Sequence, residues 1–157
     1  MRIVCPAFAD GTPMDTRFTQ EGSDLSPELV FEDVPTGAQS LVLLSDDPDA
    51  PDPKAPKLIW LHWLVVNLPP DCRGLAEGEK SLPAGAAAAV NDSGCRGWSG
   101  PLPPIGGHRY YFKLSALDCR LDLPEDFTRA QAEQAMQGHI LAQAQTMGTY
   151  ICLKNRS

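Results

Sequence analysis

The 157-residue sequence has no C-x-x-C pair, no G-x-S-x-G elbow and no G-x-x-x-x-G-K-[ST] loop. The first absence removes support for a zinc ribbon or a thioredoxin-like redox centre. The second removes the presented nucleophile of a Ser-His-Asp hydrolase, and the third removes the P-loop mode of phosphate binding. The cysteines Cys5, Cys72, Cys95, Cys119 and Cys152 are scattered and odd in number, so reduced thiols in a cytoplasmic protein are expected. The N-terminal "MRIVCP" has no long apolar segment behind it, and no export signal is expected. Leu58–Leu68, the longest apolar stretch, is too short to cross a bilayer and contains His62 and Asn67, so an integral membrane protein is not expected. Basic clusters are also missing. A net charge of -7 argues against nucleic-acid or anionic-membrane binding, both of which need grouped Lys and Arg. No cofactor motif is present.

The sequence does hold many turn residues. Pro (15) and Gly (13) fall between apolar runs rather than in repeats, which favours short strands joined by shaped loops in one domain, residues 1–157. Residues 40–45 read as a buried strand, and 46–57, with its four prolines, as a loop. "LIWLHWLVVNL" (58–68) is the strongest strand, apolar on both faces and therefore central. Alternation puts Trp60, His62 and Leu64 on one face and Leu61, Trp63 and Val65 on the other. Residues 71–107 read mostly as loop. "HRYYFKLSAL" (108–117) is a further strand, with His108, Tyr110 and Phe112 alternating with Arg109, Tyr111 and Lys113. Thr128 and Gln131 fit a capping box, and Ala132, Met136, Ile140 and Ala144 recur at helical spacing, with Gly148 as the C-cap. A closing strand is expected over 149–153. The pattern is that of a mainly β, antiparallel protein with a helix near the C-terminus.

Three polar positions stand out against this background. Asp47 ends a buried strand, His62 sits within the most apolar one, and His108 opens another directly after a glycine-rich loop. A core histidine satisfied by one hydrogen bond explains His62, and a loop-edge position explains His108. Helix packing explains the third histidine, His139. The same residues also suit a small anion pocket, because imidazole donors and unhindered glycine N–H groups both favour phosphate. Two histidines and an aspartate can also hold iron, although no close ligand spacing supports a metal here.

"SDDPDAP" (45–51), "IWLHWLVVNLP" (59–69) and "GPLPPIGGHRYYFKLSALD" (100–118) together resemble the phosphatidylethanolamine-binding protein family. "GSDLSPEL" (22–29), "VPTGAQSLVLLSDDPDAP" (34–51) and "MQGHILAQAQTMGTY" (136–150) extend the resemblance over nearly the whole chain, in its bacterial Raf-kinase-inhibitor-like branch. The resemblance implies an antiparallel two-sheet Greek-key fold and a pocket for phosphate-like anions, including phosphorylated head groups. Residue by residue, it places Asp47, Asp49, Trp60, His62, Gly100, Pro101, His108 and Tyr110 at that pocket. It also implies a cis Asp47–Pro48 bond. Asp46, the remaining part of a solvated acidic turn, is expected to face out. Ser93 and Trp98 stand where the family often carries Phe and Tyr.

The expected function is non-enzymatic binding of a small phosphorylated ligand, with regulation of a protein partner such as a kinase, and a homodimer, left open. The alternative is a hydrolase or lyase using His62 or His108 as base and Asp47 as orienter.

Overall fold

The computed structural model describes residues 1–156. A small sheet contains β1 (Arg2–Val4), β3 (Leu29–Glu32) and β6 (Gly74–Leu75), in the order β1-β3-β6. The larger sheet has six strands in the order β2-β9-β8-β4-β5-β7. These are β2 (Thr12–Pro13), β4 (Ser40–Ala50), β5 (Leu58–Leu68), β7 (Ala87–Ala88), β8 (Gly107–Leu117) and β9 (Ile140–Ile151). β8 returns to pair with β4, leaving β4 between β5 and β8, which is the non-sequential return of a Greek key. The pairing is antiparallel except at one edge, where β2 runs parallel to β9.

Two cores lie on opposite faces of the large sheet. Leu41, Leu43, Phe112 and Leu114 meet Ile3, Leu29 and Phe31 of the small sheet. Val42, Leu44, Leu61 and Leu64 meet Phe127, Ala132 and Met136, so the helix α1 (Arg129–Met136) covers the other face. β4 is thus buried on both sides, as its unbroken apolar run requires.

α1 begins with the expected capping box, Thr128 to Gln131, but stops at Met136. The helical reading through Gly148 is wrong: Ile140, Ala144 and Gly148 belong to β9, and the closing strand spans Ile140–Ile151 rather than 149–153. Ala, Gln, Leu and Met favour helix, but β8 has backbone donors and acceptors along its whole length, and β9 pairs with them from Gly107 to Leu117. Gly138, with φ 81, turns the chain between the two elements. Gly148 serves close packing instead, since a Cβ there would lie 2.5 Å from Met14 Cγ.

β4 also runs further than expected. It continues through Asp46, Asp47, Pro48 and Asp49 to Ala50, with a register irregularity between Asp47 and Ala50 that accommodates the proline. The cis bond lies at Ala50–Pro51 and not at Asp47–Pro48.

β5 matches its expected span but not its expected alternation. Ser45 pairs with Trp63 and Asp46 with Leu61, leaving His62 as an extra residue on β5. The bulge sends Leu64 to the helix-side core with Leu61, while Trp63 and Val65 join the inter-sheet core.

Candidate functional site

The ends of β4, β5 and β8 and the 98–107 loop enclose a cavity of about 380 Å³. Its lining includes Asp47, Trp60, His62, Gly100, His108 and Tyr110, so six of the eight expected residues converge. Asp49 and Pro101 do not line it. Asp49 Oδ1 and Oδ2 grip the Arg109 guanidinium at 2.8 and 3.0 Å, and Oδ2 also accepts from the Arg109 backbone N–H. That grip holds the Asp49 carboxyl below the usual range. Pro101 acts through its carbonyl, which accepts from Gln20 N at 3.0 Å.

The neighbouring aspartates are all buried and each meets a different partner. Asp46, expected to face solvent, is instead 1% exposed. Its Oδ2 accepts from Lys113 at 3.2 Å and from Arg129 at 2.8 Å, on the helix side of the sheet. Asp47 Oδ1 accepts from Asp49 N at 2.7 Å, and its Oδ2 lies 2.6 Å from His108 Nδ1.

The two histidines differ sharply. Both His108 nitrogens face acceptors, with Asp47 at Nδ1 and the Ile105 and Pro51 carbonyls 2.9 and 3.1 Å from Nε2. Acceptors occupy both ring nitrogens, so neither is left for a ligand. His62 Nδ1 lies 2.6 Å from the Ser99 carbonyl, so that nitrogen carries the proton and donates. Ser99 N donates back to the His62 carbonyl at 3.2 Å. His62 Nε2 is buried without a partner. Burial pushes the His62 pKa down, opposed by the Ser99 carbonyl and by the charge of Asp47. The ring packs edge-on against Tyr110 with centroids 5.2 Å apart. Tyr110 is held neutral because burial, reinforced by the Asp47 charge, pushes its pKa up.

The wall opposite the strands depends on Gly100. Its N–H donates to Asp24 Oδ1 at 2.7 Å, its carbonyl accepts from Gln20 Nε2 at 3.0 Å, and a Cβ would fall 2.2 Å from the Phe18 carbonyl oxygen. Asn91 Nδ2 reaches Ser99 Oγ at 3.0 Å and steadies the same segment. Gln20, Lys57, Leu58 and Leu102 also line the cavity and were not expected there, Ser93 lines it as well, and Lys57 is its one Lys or Arg. Asp24 lies within "GSDLSPEL", so the motif that carried the resemblance also carried this signal.

The two-histidine, one-aspartate set does not suit a metal, because its nitrogens, apart from His62 Nε2, are spent in hydrogen bonds. His139 is not on the helix. It is exposed and bonds Asp118 Oδ1 at 2.8 Å. With Cys119, this pair forms the one group of three metal-ligand-type side chains among the described residues, at the surface and away from the cavity. No cysteine is disulfide-bonded. No helix is long and apolar enough to cross a membrane among the described residues.

The fold and cavity define a two-sheet β protein with a pocket floored by histidine. Residues 5–151 match the family model "Phosphatidylethanolamine-binding protein". A UPF0098 protein of Methanothermobacter thermautotrophicus is 42% identical over 153 residues, covering 96% of this chain and 98% of the relative. A crystal structure of a phosphatidylethanolamine-binding protein homologue from Chlamydia trachomatis, CT736, is 41% identical with a TM-score of 0.88, over 96% of this chain and 97% of that one. E. coli YbcL, described as a member of the mammalian family, is 28% identical with a TM-score of 0.85, over 96% and 98% of the two chains. The chain belongs to the phosphatidylethanolamine-binding protein family.

Proposed function

We propose that the chain is a non-enzymatic binding protein for a small phosphate-like anion or phosphorylated head group, taken up in the cavity between His62, Tyr110 and Gly100. The observation that carries this reading is His62, whose Nε2 is a buried polar atom with no partner in the chain and whose residue lines a cavity large enough for such a ligand. Lys57 adds a positive rim, and the apolar side chains of Leu58 and Leu102 flank the mouth. An enzyme would need a free base next to a nucleophile. His108, the histidine paired with a carboxylate in the manner of a catalytic base, has both nitrogens committed.

Titration with phenyl phosphate, followed by calorimetry and by the 31P resonance, tests the reading. Saturable binding that weakens at least about tenfold in His62→Ala is expected, from the loss of a buried hydrogen bond. Binding unchanged in that variant places the ligand elsewhere. Turnover of phosphate or acyl esters that His108→Ala abolishes would overturn the non-enzymatic assignment.

A further inference from the structure

The segment that carries α1 leaves the large sheet at the end of β8 and returns to it at the start of β9. Its two ends are stitched together. Asp118 N donates to the His139 carbonyl at 3.0 Å, and His139 Nδ1 lies 2.8 Å from Asp118 Oδ1. Cys119 follows Asp118 in the bend after β8. Outside the strand, neighbouring side chains are released from the alternation that sends them to opposite faces. One donor atom each of Asp118, Cys119 and His139 falls within 4.8 Å of the other two.

The main chain beneath these side chains is fixed. Ser40 Oγ donates to the Cys119 carbonyl at 2.6 Å, Gln39 N to the Leu117 carbonyl at 2.7 Å, and His139 N to the Met136 carbonyl at 3.0 Å. Leu117 and Ser40 are fully buried, and Leu117 pairs with Ile140. The Asp118 and His139 side chains are each about half exposed, so they rotate without disturbing the core. Cys119 is half-buried against the helix-side core and carries a free thiol. An ion pair between Asp118 and His139 would close this neck without a thiol beside it. The thiol turns the pair into a sulfur, nitrogen and oxygen donor set. In a tetrahedral zinc site, bonds of about 2.0 Å to nitrogen and oxygen and about 2.3 Å to sulfur set the donors roughly 3.2–3.6 Å apart. The 2.8 Å pair lies just below that range and the 4.8 Å limit just above it, so side-chain rotation completes the set.

We propose that Asp118, Cys119 and His139 form a surface site for a divalent transition metal of the zinc type. The metal takes the position between His139 Nδ1 and Asp118 Oδ1, and water fills the fourth place. The thiol gives its proton to solvent on binding, and the neutral imidazole keeps its one proton, on Nε2. A thiolate, an imidazole and a carboxylate suit Zn2+ or Co2+ and not Ca2+ or Mg2+, which take oxygen ligands. Asp118 and His139 are 21 positions apart, so the metal would clip the base of the segment that holds α1 on the sheet. The site is separate from the cavity and stands whether or not an anion binds there.

The test titrates the reduced, untagged, metal-stripped chain with Co2+ and follows the near-ultraviolet thiolate-to-cobalt charge-transfer band. Zn2+ should displace the cobalt, which gives the zinc affinity by competition. Cys119→Ser should abolish the band, while Cys95→Ser, at the exposed thiol outside the group, should keep it. His139→Gln and Asp118→Asn should each weaken Zn2+ binding at least about tenfold, since losing an outer-shell partner alone costs that much. Zn2+ should raise the Tm of the wild-type chain, and Ca2+ at the same concentration should not. A band that survives Cys119→Ser, a zinc affinity unchanged in His139→Gln, or an equal thermal shift with Ca2+ would overturn the site. So would binding at millimolar metal alone, the mark of an adventitious ion only. His139 is exposed, so His139→Gln leaves the fold intact and keeps the test decisive if Cys119→Ser is destabilised.

Discussion

Asp47 Oδ2 lies 2.6 Å from His108 Nδ1, with both side chains shut away from solvent. The pair joins the end of β4 to the start of β8 and, through Nε2, ties both to the Ile105 and Pro51 carbonyls. It forms a cross-brace within the cavity wall, since both residues line the cavity. His108→Ala strands a buried carboxylate and two carbonyl oxygens, and a loss of about 3–5 kcal/mol is expected. Urea unfolding measures it. Asp47→Asn combined with His108→Gln should cost less than the two single changes summed, because no charge is then orphaned.

His62 gives the molecule a distinct acid response. Its pKa is lowered by burial from the ordinary 6.5, so the unfolded chain binds a proton at a pH where the folded chain does not. Stability is then full above pH 6.5 and falls as the pH drops from 6.5 through the lowered folded value. His62→Gln removes that titration. The difference in unfolding free energy between wild type and variant should change across this interval and stay flat above it. A difference that is constant down to pH ~4 would mean that His62 is not held neutral.

Gly100 tests whether the loop wall is built or incidental. A Cβ there would sit 2.2 Å from the Phe18 carbonyl oxygen and 2.5 Å from Asp24 Oδ1, so backbone must move. Gly100→Ala should cost about 1–3 kcal/mol and weaken phenyl phosphate binding by displacing the segment that carries Ser99. Gly94→Ala is the control. Its Cβ meets nothing within 4 Å, and only the strain of φ 88 remains, about 1–2 kcal/mol with no effect on the wall.

Much of this site could be read from the sequence because its members break a local rule. A histidine inside "LIWLHWLVVNL" and an aspartate at the end of an apolar run are conspicuous without any structure. The capping box at Thr128 was legible for the same reason, as a short-range pattern with its own chemistry. Features that depend on distant partners were not. Asp46 is buried because Arg129, 83 residues away, reaches it, and nothing near "SDDPDAP" announces that contact. The bulge at His62 adds one residue to a strand, and a period of two cannot show where the extra residue falls. β9 reads as helix because its composition is helical, and only the unpaired edge of β8 decides otherwise. Gln20 and Lys57 reach the cavity from loops, where no periodicity marks direction.

Arg129 provides a change that touches stability but not the pocket. It is the first residue of α1, and its guanidinium reaches Asp46 Oδ2 at 2.8 Å while also pairing with Glu133. The helix is thereby pinned to the central strand by charge as well as by Phe127, Ala132 and Met136. Arg129→Met keeps the stem and removes the charge. Asp46, 1% exposed, would then have only Lys113 at 3.2 Å, and its Oδ1 has no partner in the native chain. The expected loss is about 1–3 kcal/mol, below that of a fully buried pair because Arg129 is partly solvated and Lys113 remains. Adding Asp46→Asn should recover part of the loss, since the cost comes from a buried charge and not from a missing contact. Asp46 does not line the cavity, so phenyl phosphate affinity should be unchanged in Arg129→Met. A parallel fall in affinity and stability would mean instead that the helix-side ion pair helps hold the end of β4, and with it Asp47, in place.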